Sequence, residues 1–207
     1  LKTRYIEHIN STKLFGVYSI GDDRISKRNE VALLKKLKTS IKKYDVVIVS
    51  DYSHGLITKK ISKFIVENSK FLSVNAQLNA ANLGYHTLTK YSLTDLLIIN
   101  ENELRHEMRD KESNLDILMA KLSKKIRTKY IVVTSGSDGA KLFVSKDKKI
   151  INCPAFTYDT VDKVGAGDAL LSFLSLSIRN KVSLELTMLI ASLAAAENVP
   201  LRVWPSS

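Results

Sequence analysis

The chain has 207 residues, 44% of them hydrophobic and 26% charged, the proportions of an ordinary globular domain and not of a disordered or membrane-spanning one. Its formal net charge is +11, which fits either a nucleic-acid surface or solvated lysine-rich helix faces with some attraction for anionic substrates. The single cysteine, Cys153, rules out an internal disulfide framework and a cysteine-based metal site; a reducing cytoplasm fits that usage.

At the start, Leu1-Lys2-Thr3-Arg4-Tyr5 has no apolar core behind it and does not read as a signal peptide. The first residue is not Met, so the chain is expected to begin inside a longer protein. Thr3–Glu7 and Lys13–Tyr18 are β-like, and the turn-formers Asn10-Ser11 between them predict a hairpin. Leu34, Leu37 and Ile41 then recur at helical spacing, and Val46–Val49 reads as a buried strand. A basic helix is expected near Lys59–Asn68, a strand at Phe71–Asn75 and another at Leu96–Ile99. Ser113 is expected to open a helix with Asp116 as its capping partner, its inner face marked by Leu115, Leu118, Leu122 and Ile126. Strand Ile131–Thr134 follows, then β-like Ala140–Ser145 and Lys149–Asn152, then helices at about Gly167–Arg179 and Ser183–Asn198. Met188–Ala196, the longest apolar candidate for a membrane span, is too short and runs into Glu197.

Alternating strands and helices imply an α/β fold: a mostly parallel, doubly wound sheet with helices on both faces. Ligands of such sheets bind at the carboxyl ends of the strands, which directs attention to Asp51, Asn75, Asn100 with Glu103, and Thr134 with Gly136. The lysines fall in separate segments, such as Lys35 to Lys43, Lys59 to Lys63 and Lys121 to Lys125, with no interleaved aromatics. Neither a nucleic-acid nor a membrane partner is therefore expected.

The strongest chemical signal is Asp162-Lys163-Val164-Gly165-Ala166-Gly167-Asp168, followed at once by an apolar helix. Small residues let the backbone approach a ligand, and successive N–H groups at a helix start make an anion site. A carboxylate there would repel phosphate, so Asp168 makes sense as a base for an incoming hydroxyl; the plainer alternative is a glycine-rich turn that packs a helix. Asn100 and Glu103 share one face of a first helical turn and could order water around Mg²⁺ and phosphates, or form an ordinary helix cap. Thr134-Ser135-Gly136-Ser137-Asp138-Gly139 reads as a hairpin turn or a nucleotide-holding loop. A Walker A motif is absent, because no Lys-Ser/Thr follows Gly136 and Gly139 at the required offset, and Leu170 occupies the third-glycine position of a dinucleotide fingerprint.

The order Asn-x-x-Glu, Thr-x-Gly-x-x-Gly, Gly-Ala-Gly-Asp resembles the ribokinase-like (PfkB) carbohydrate kinase family. Asp51-Tyr52-Ser53-His54-Gly55 and Val161 to Asp168 are most similar to its heptose 7-phosphate kinase branch. The resemblance covers nearly the whole chain, to about Asn198. It implies an ATP- and Mg²⁺-dependent sugar or sugar-phosphate kinase with Asp168 as catalytic base and Gly165, Ala166 and Gly167 as an anion hole. Asn100 and Glu103 would organise Mg²⁺, through water, and the phosphates. Thr134, Ser135, Gly136 and Gly139 would line the ATP site, and Asp51 would meet the substrate. A non-catalytic nucleotide- or sugar-sensing protein on the same fold is the alternative. Three departures stand out: Lys163 replaces a small residue, His54 replaces lysine, and Asn75-Ala76-Gln77 replaces Asp-Pro-Lys.

The expected organisation is one partial kinase domain over 1–207: a lid-hairpin remnant (1–20), an α/β nucleotide-binding and catalytic core (21–199) and an irregular tail (200–207). Most of the sugar site and lid of the family is expected to lie outside this chain. A homodimer through the lid of the full-length protein is the assembly that the resemblance suggests.

Overall fold

A computed structural model of the chain describes residues 2–7, 13–18, 25–77, 88–156 and 165–197. The expected turn at Asn10-Ser11, the Asp162 to Val164 stretch and the 200–207 tail lie outside these residues.

Strands β1 (Lys2–Ile6) and β2 (Lys13–Tyr18) form a separate antiparallel pair, with Tyr5 and Phe15 stacked at 4.5 Å between ring centroids. The core sheet has six strands in chain order: β3 (Val47–Asp51), β4 (Leu72–Ala76), β5 (Thr94–Asn100), β6 (Thr128–Thr134), β7 (Ala140–Val144) and β8 (Ile150–Cys153). The first four are parallel, and β7 and β8 are antiparallel additions. Loop length explains the change. The β6–β7 and β7–β8 connections are short turns, and a short turn can only reverse the chain. The earlier strands are joined by crossovers, carrying α2 (Lys59–Asn68) after β3, and α3 (Glu101–Met108) with α4 (Leu115–Ile126) after β5.

The central strands β5 and β6 are buried on both faces, as their continuous apolar runs anticipate. Leu97, Ile99, Ile131 and Val133 face one core with Leu34 of α1 (Lys27–Ser40), Ile61 and Ile65 of α2, Leu104 of α3, and Leu118 and Leu122 of α4. Their strand neighbours Leu96, Ile98 and Val132 face the other core. There they meet Leu170 and Leu174 of α5 (Ala166–Arg179) and Met188 and Ala191 of α6 (Leu184–Glu197). The two-residue alternation of β5 and β6 thus divides their side chains between two helical layers.

One local expectation is corrected. The N-cap of α4 is Asn114, whose side chain accepts from the Asp116 N–H at 2.8 Å, and not Ser113. Ser113 is taken by Asp110, to which it donates through its N–H (2.9 Å) and its hydroxyl (2.7 Å). The Asp116 carboxylate instead accepts from Lys141 at 2.9 Å.

Candidate functional site

Because β3 to β6 run parallel, their carboxyl ends lie on one edge of the sheet. Asn100 there pairs in register with Thr134, and Asp51 with Ala76. A cleft of about 680 Å³ opens beside the β5–β6 end. It is lined by Asn100 and Glu101 at the start of α3 and by the β6–β7 turn with Thr134, Ser135, Gly136 and Gly139. Ala166 and Gly167 of α5 complete it, together with Pro154 to Phe156 after β8, and Ser192 and Ala195 of α6.

Each lining element has a local cause. Asn100 and Glu103 form a reciprocal capping box. The Glu103 N–H donates to Asn100 Oδ1 at 2.8 Å, and the Asn100 N–H donates to Glu103 Oε2 at 3.0 Å. Two otherwise orphaned helix donors are thereby satisfied. Glu103 is buried at 7% exposure, whereas Asn100 is exposed at the cleft.

The β6–β7 turn closes on itself through Ser135 N–H to Gly139 O at 2.8 Å and Gly139 N–H to Gly136 O at 3.1 Å. Gly139 has φ +84°, and a Cβ there would come within 2.1 Å of the Cys153 carbonyl oxygen. Only glycine lets this turn lie against the end of β8. Glu101 connects the turn to α3. Its Oε2 accepts the Ser135 hydroxyl at 2.7 Å, and its Oε1 accepts Nε (2.9 Å) and an Nη (2.7 Å) of Arg105. The Ser135 hydroxyl, then Arg105, hold the Glu101 carboxyl below its ordinary pKa.

Gly165, at φ +92°, is the N-cap of α5 and offers no side chain to its first N–H groups. Those groups have no intrahelical partner and carry the positive end of the helix dipole. A Cβ at Gly167 would meet nothing within 4 Å. Asp168 is exposed on this first turn.

Of the residues singled out from sequence, Asn100, Thr134, Ser135, Gly136, Gly139, Ala166 and Gly167 share the cleft. Gly165 and Asp168 adjoin its lining in the chain, and Glu103 is buried in the capping box. Asp51 lies at the end of β3, outside that lining, and its carboxylate is engaged within the fold. It accepts from the Ser53 N–H (2.9 Å), the Tyr91 hydroxyl (2.6 Å) and Lys90 Nζ (2.5 Å). Burial first, then the Asp51 charge, push the Tyr91 phenol far above its ordinary pKa and keep it a donor. The Asn75 amide is also engaged, donating to the Ile98 carbonyl oxygen at 3.0 Å.

Sequence reasoning passes over Glu101, which sits inside the quoted Asn100–Glu103 motif, and the Lys90–Tyr91 pair. It also passes over the lining from Phe156, Ser192 and Ala195. The small residues Ala194-Ala195-Ala196 late in α6 are the available hint of a close approach.

The family model described as pfkB family carbohydrate kinase matches residues 27–200. The bifunctional protein HldE of Campylobacter fetus is 29% identical over 167 residues, covering 79% of this chain and 35% of that protein. HldE of Sulfurimonas denitrificans is 27% identical over 177 residues, covering 84% and 36%. The chain therefore spans about a third of the length of these curated relatives. Among solved structures, Escherichia coli phosphofructokinase-2 in complex with fructose-6-phosphate aligns with a TM-score of 0.70 at 15% identity, over 96% of this chain and 64% of that one. Arabidopsis thaliana ribokinase complexed with ribose and ATP aligns with a TM-score of 0.62 at 18% identity, over 86% and 55%. These likenesses establish the ribokinase-like fold, and with the family model matched across most of its length the chain belongs to the pfkB family of carbohydrate kinases.

Proposed function

We propose that this chain is the nucleotide-binding and catalytic part of an ATP-dependent sugar or sugar-phosphate kinase. The observation that carries the reading is one cleft shared by the Ser135–Gly139 turn and the first turn of α5, with Asp168 exposed on that turn. The cleft takes the nucleotide, and the N–H groups at the start of α5, which have no intrahelical partner, meet its phosphates. The sugar hydroxyl oxygen bonds to the γ-phosphorus as the bond from that phosphorus to the β–γ bridging oxygen breaks. Asp168 takes the hydroxyl proton, and ADP leaves. The helix N-terminus holds charge that develops on the transferring group. In this reading Asp51 acts on the substrate side by holding the loop after β3, since its carboxylate is already engaged.

The residues present fit Mg²⁺ held through water. Among the described residues no three His, Cys, Asp or Glu side chains cluster as a direct ligand set, and Mg²⁺ typically keeps several waters while binding substrate phosphates. Asn100, exposed at the cleft, would contact its water shell, with Glu103 orienting Asn100 through the capping box. When bound, the ion neutralises phosphate charge.

The sugar-phosphate acceptor follows from the heptose-branch likeness of Asp51 to Gly55 and of the segment ending in Asp168. A homodimer through the exposed β1–β2 hairpin, where Tyr5, Leu14 and Phe15 are solvent-facing, belongs to the same proposal. So does a cytoplasmic location; no helix among the described residues is long and apolar enough to cross a membrane.

The test is Asp168→Asn in the natural full-length protein. Turnover should fall by ~10²–10⁴-fold, as on loss of a general base, while ATP affinity holds or tightens because a negative charge is removed. Near-normal turnover would reduce Asp168 to a helix-terminal residue, since Asn and Asp serve almost equally there.

A further inference from the structure

We infer that Glu101 is a positioning residue for the nucleotide, holding the Ser135–Gly139 turn in its binding geometry through Ser135 while Arg105 cancels its charge. The inference rests on the proposed kinase reading. Three observations lead to it. First, the Glu101 to Ser135 hydrogen bond (2.7 Å) ties residues 34 apart in the chain and joins two walls of one cleft, the start of α3 and the β6–β7 turn. Ser135 is where β6 has just ended, and its N–H closes the turn onto Gly139. Fixing the Ser135 side chain therefore fixes the base of the whole turn.

Second, Glu101 is itself held. Arg105 gives Nε and one Nη to Glu101, and its other Nη donates to the carbonyl oxygens of Lys111 and Ser113, each at 3.0 Å. The guanidinium thus bolts the carboxylate to the α3–α4 connection. A planar fork in that arrangement loses little freedom when it binds.

Third, a carboxylate in the wall of a polyphosphate site is electrostatically unfavourable unless compensated. Glu101 is partly buried, its side chain 30% exposed, so its charge is only partly screened by water. Arg105 at 2.7 Å supplies the compensation. The pair behaves as a neutral clamp with one strong acceptor turned towards Ser135. A serine–backbone contact would be weaker, and an unpaired glutamate would repel the ligand.

The experiment compares Glu101→Ala, Ser135→Ala, the double variant, Glu101→Gln and Arg105→Met in the natural full-length protein. The readouts are ATP dissociation constants by equilibrium dialysis with labelled ATP, and KM for ATP and for sugar separately. Either alanine variant should weaken ATP binding by about tenfold, with the double variant no worse than the singles, because they break one shared bond. Glu101→Gln keeps an acceptor for Ser135 and should recover most of the affinity. Arg105→Met should weaken ATP binding more at low than at high salt, because it unmasks a negative charge. The KM for sugar should stay constant throughout. Unchanged ATP affinity in both alanine variants, additive losses, or equal changes in both KM values would overturn the inference. If the unaltered protein binds ATP but turns over no sugar, the kinase reading fails, and the ATP-affinity series still decides the role of Glu101.

Discussion

Replacing Lys90 with methionine should destabilise the fold by about 3–5 kcal/mol, the cost of stranding one partner of a buried ion pair. The structure supports the upper class of ion-pair effects because both side chains are withdrawn from water, Lys90 at 9% and Asp51 at 3% exposure. Tyr91 and the Ser53 N–H would still donate to Asp51, which places the expectation near the low end, about 3 kcal/mol. Lys90 also donates to the Ile57 carbonyl oxygen at 3.2 Å, so its loss frees the loop after β3 as well. With a urea m-value of roughly 2 kcal/mol/M, the midpoint followed by far-UV circular dichroism should fall by roughly 1.5 M. Adding Asp51→Asn should recover part of that loss, because the stranded charge disappears. A cost below about 1 kcal/mol, as for a surface pair, or a double variant with fully additive losses, would show that the Asp51 site is wetter than its geometry implies.

Gly139→Ala combines a left-handed backbone with a Cβ 2.1 Å from a carbonyl oxygen; it should cost about 2–4 kcal/mol and loosen ATP binding, and an unchanged melting temperature would count against the docking of the β6–β7 turn on β8. Tyr91→Phe removes one donor from the buried Asp51 carboxylate and should cost about 1.5–3 kcal/mol in denaturant unfolding, with a negligible change excluding that bond. Asp110 has its pKa lowered to about 2, chiefly by the Ser113 hydrogen bonds. Its contribution to stability is therefore present above its ordinary value of ~3.9 and is lost as the pH falls through about 2. Asp110→Asn should flatten that limb, and parallel melting curves for both proteins between pH 5 and 2 would refute it.

Local and periodic features are legible in the amino-acid sequence. The runs Leu96–Ile99 and Ile131–Val133 are apolar throughout, and only burial on both faces rewards that pattern. Lys59–Asn68 matches its helix to the residue because Thr58 caps it and the Ile61 and Ile65 spacing gives it a buried face. The glycine-rich stretch before α5 and the Asn100–Glu103 pair are also visible, since backbone geometry at a helix start restricts residue choice strongly. What such pairs do with their side chains is not visible. The capping box uses the Asn100 and Glu103 oxygens, and Asp110 takes Ser113 from its expected role at α4. Such choices are competitions between nearby polar partners, settled by angles and distances that residue type alone does not carry.

By itself, then, the sequence determined the alternating order of elements, the two-sided burial of the central strands and the motifs at the carboxyl edge of the sheet, because each of these depends on residues close together in the chain. Tertiary structure decided which of those motifs share a cleft. Glu101 meets Ser135 across 34 residues, and Asp51 meets Lys90 and Tyr91 across 39 and 40. The parallel stacking of β3 to β6 brings distant positions such as Glu101 and Ser135 to one edge of the sheet, and the segment before β5 is carried back onto the end of β3 at Asp51.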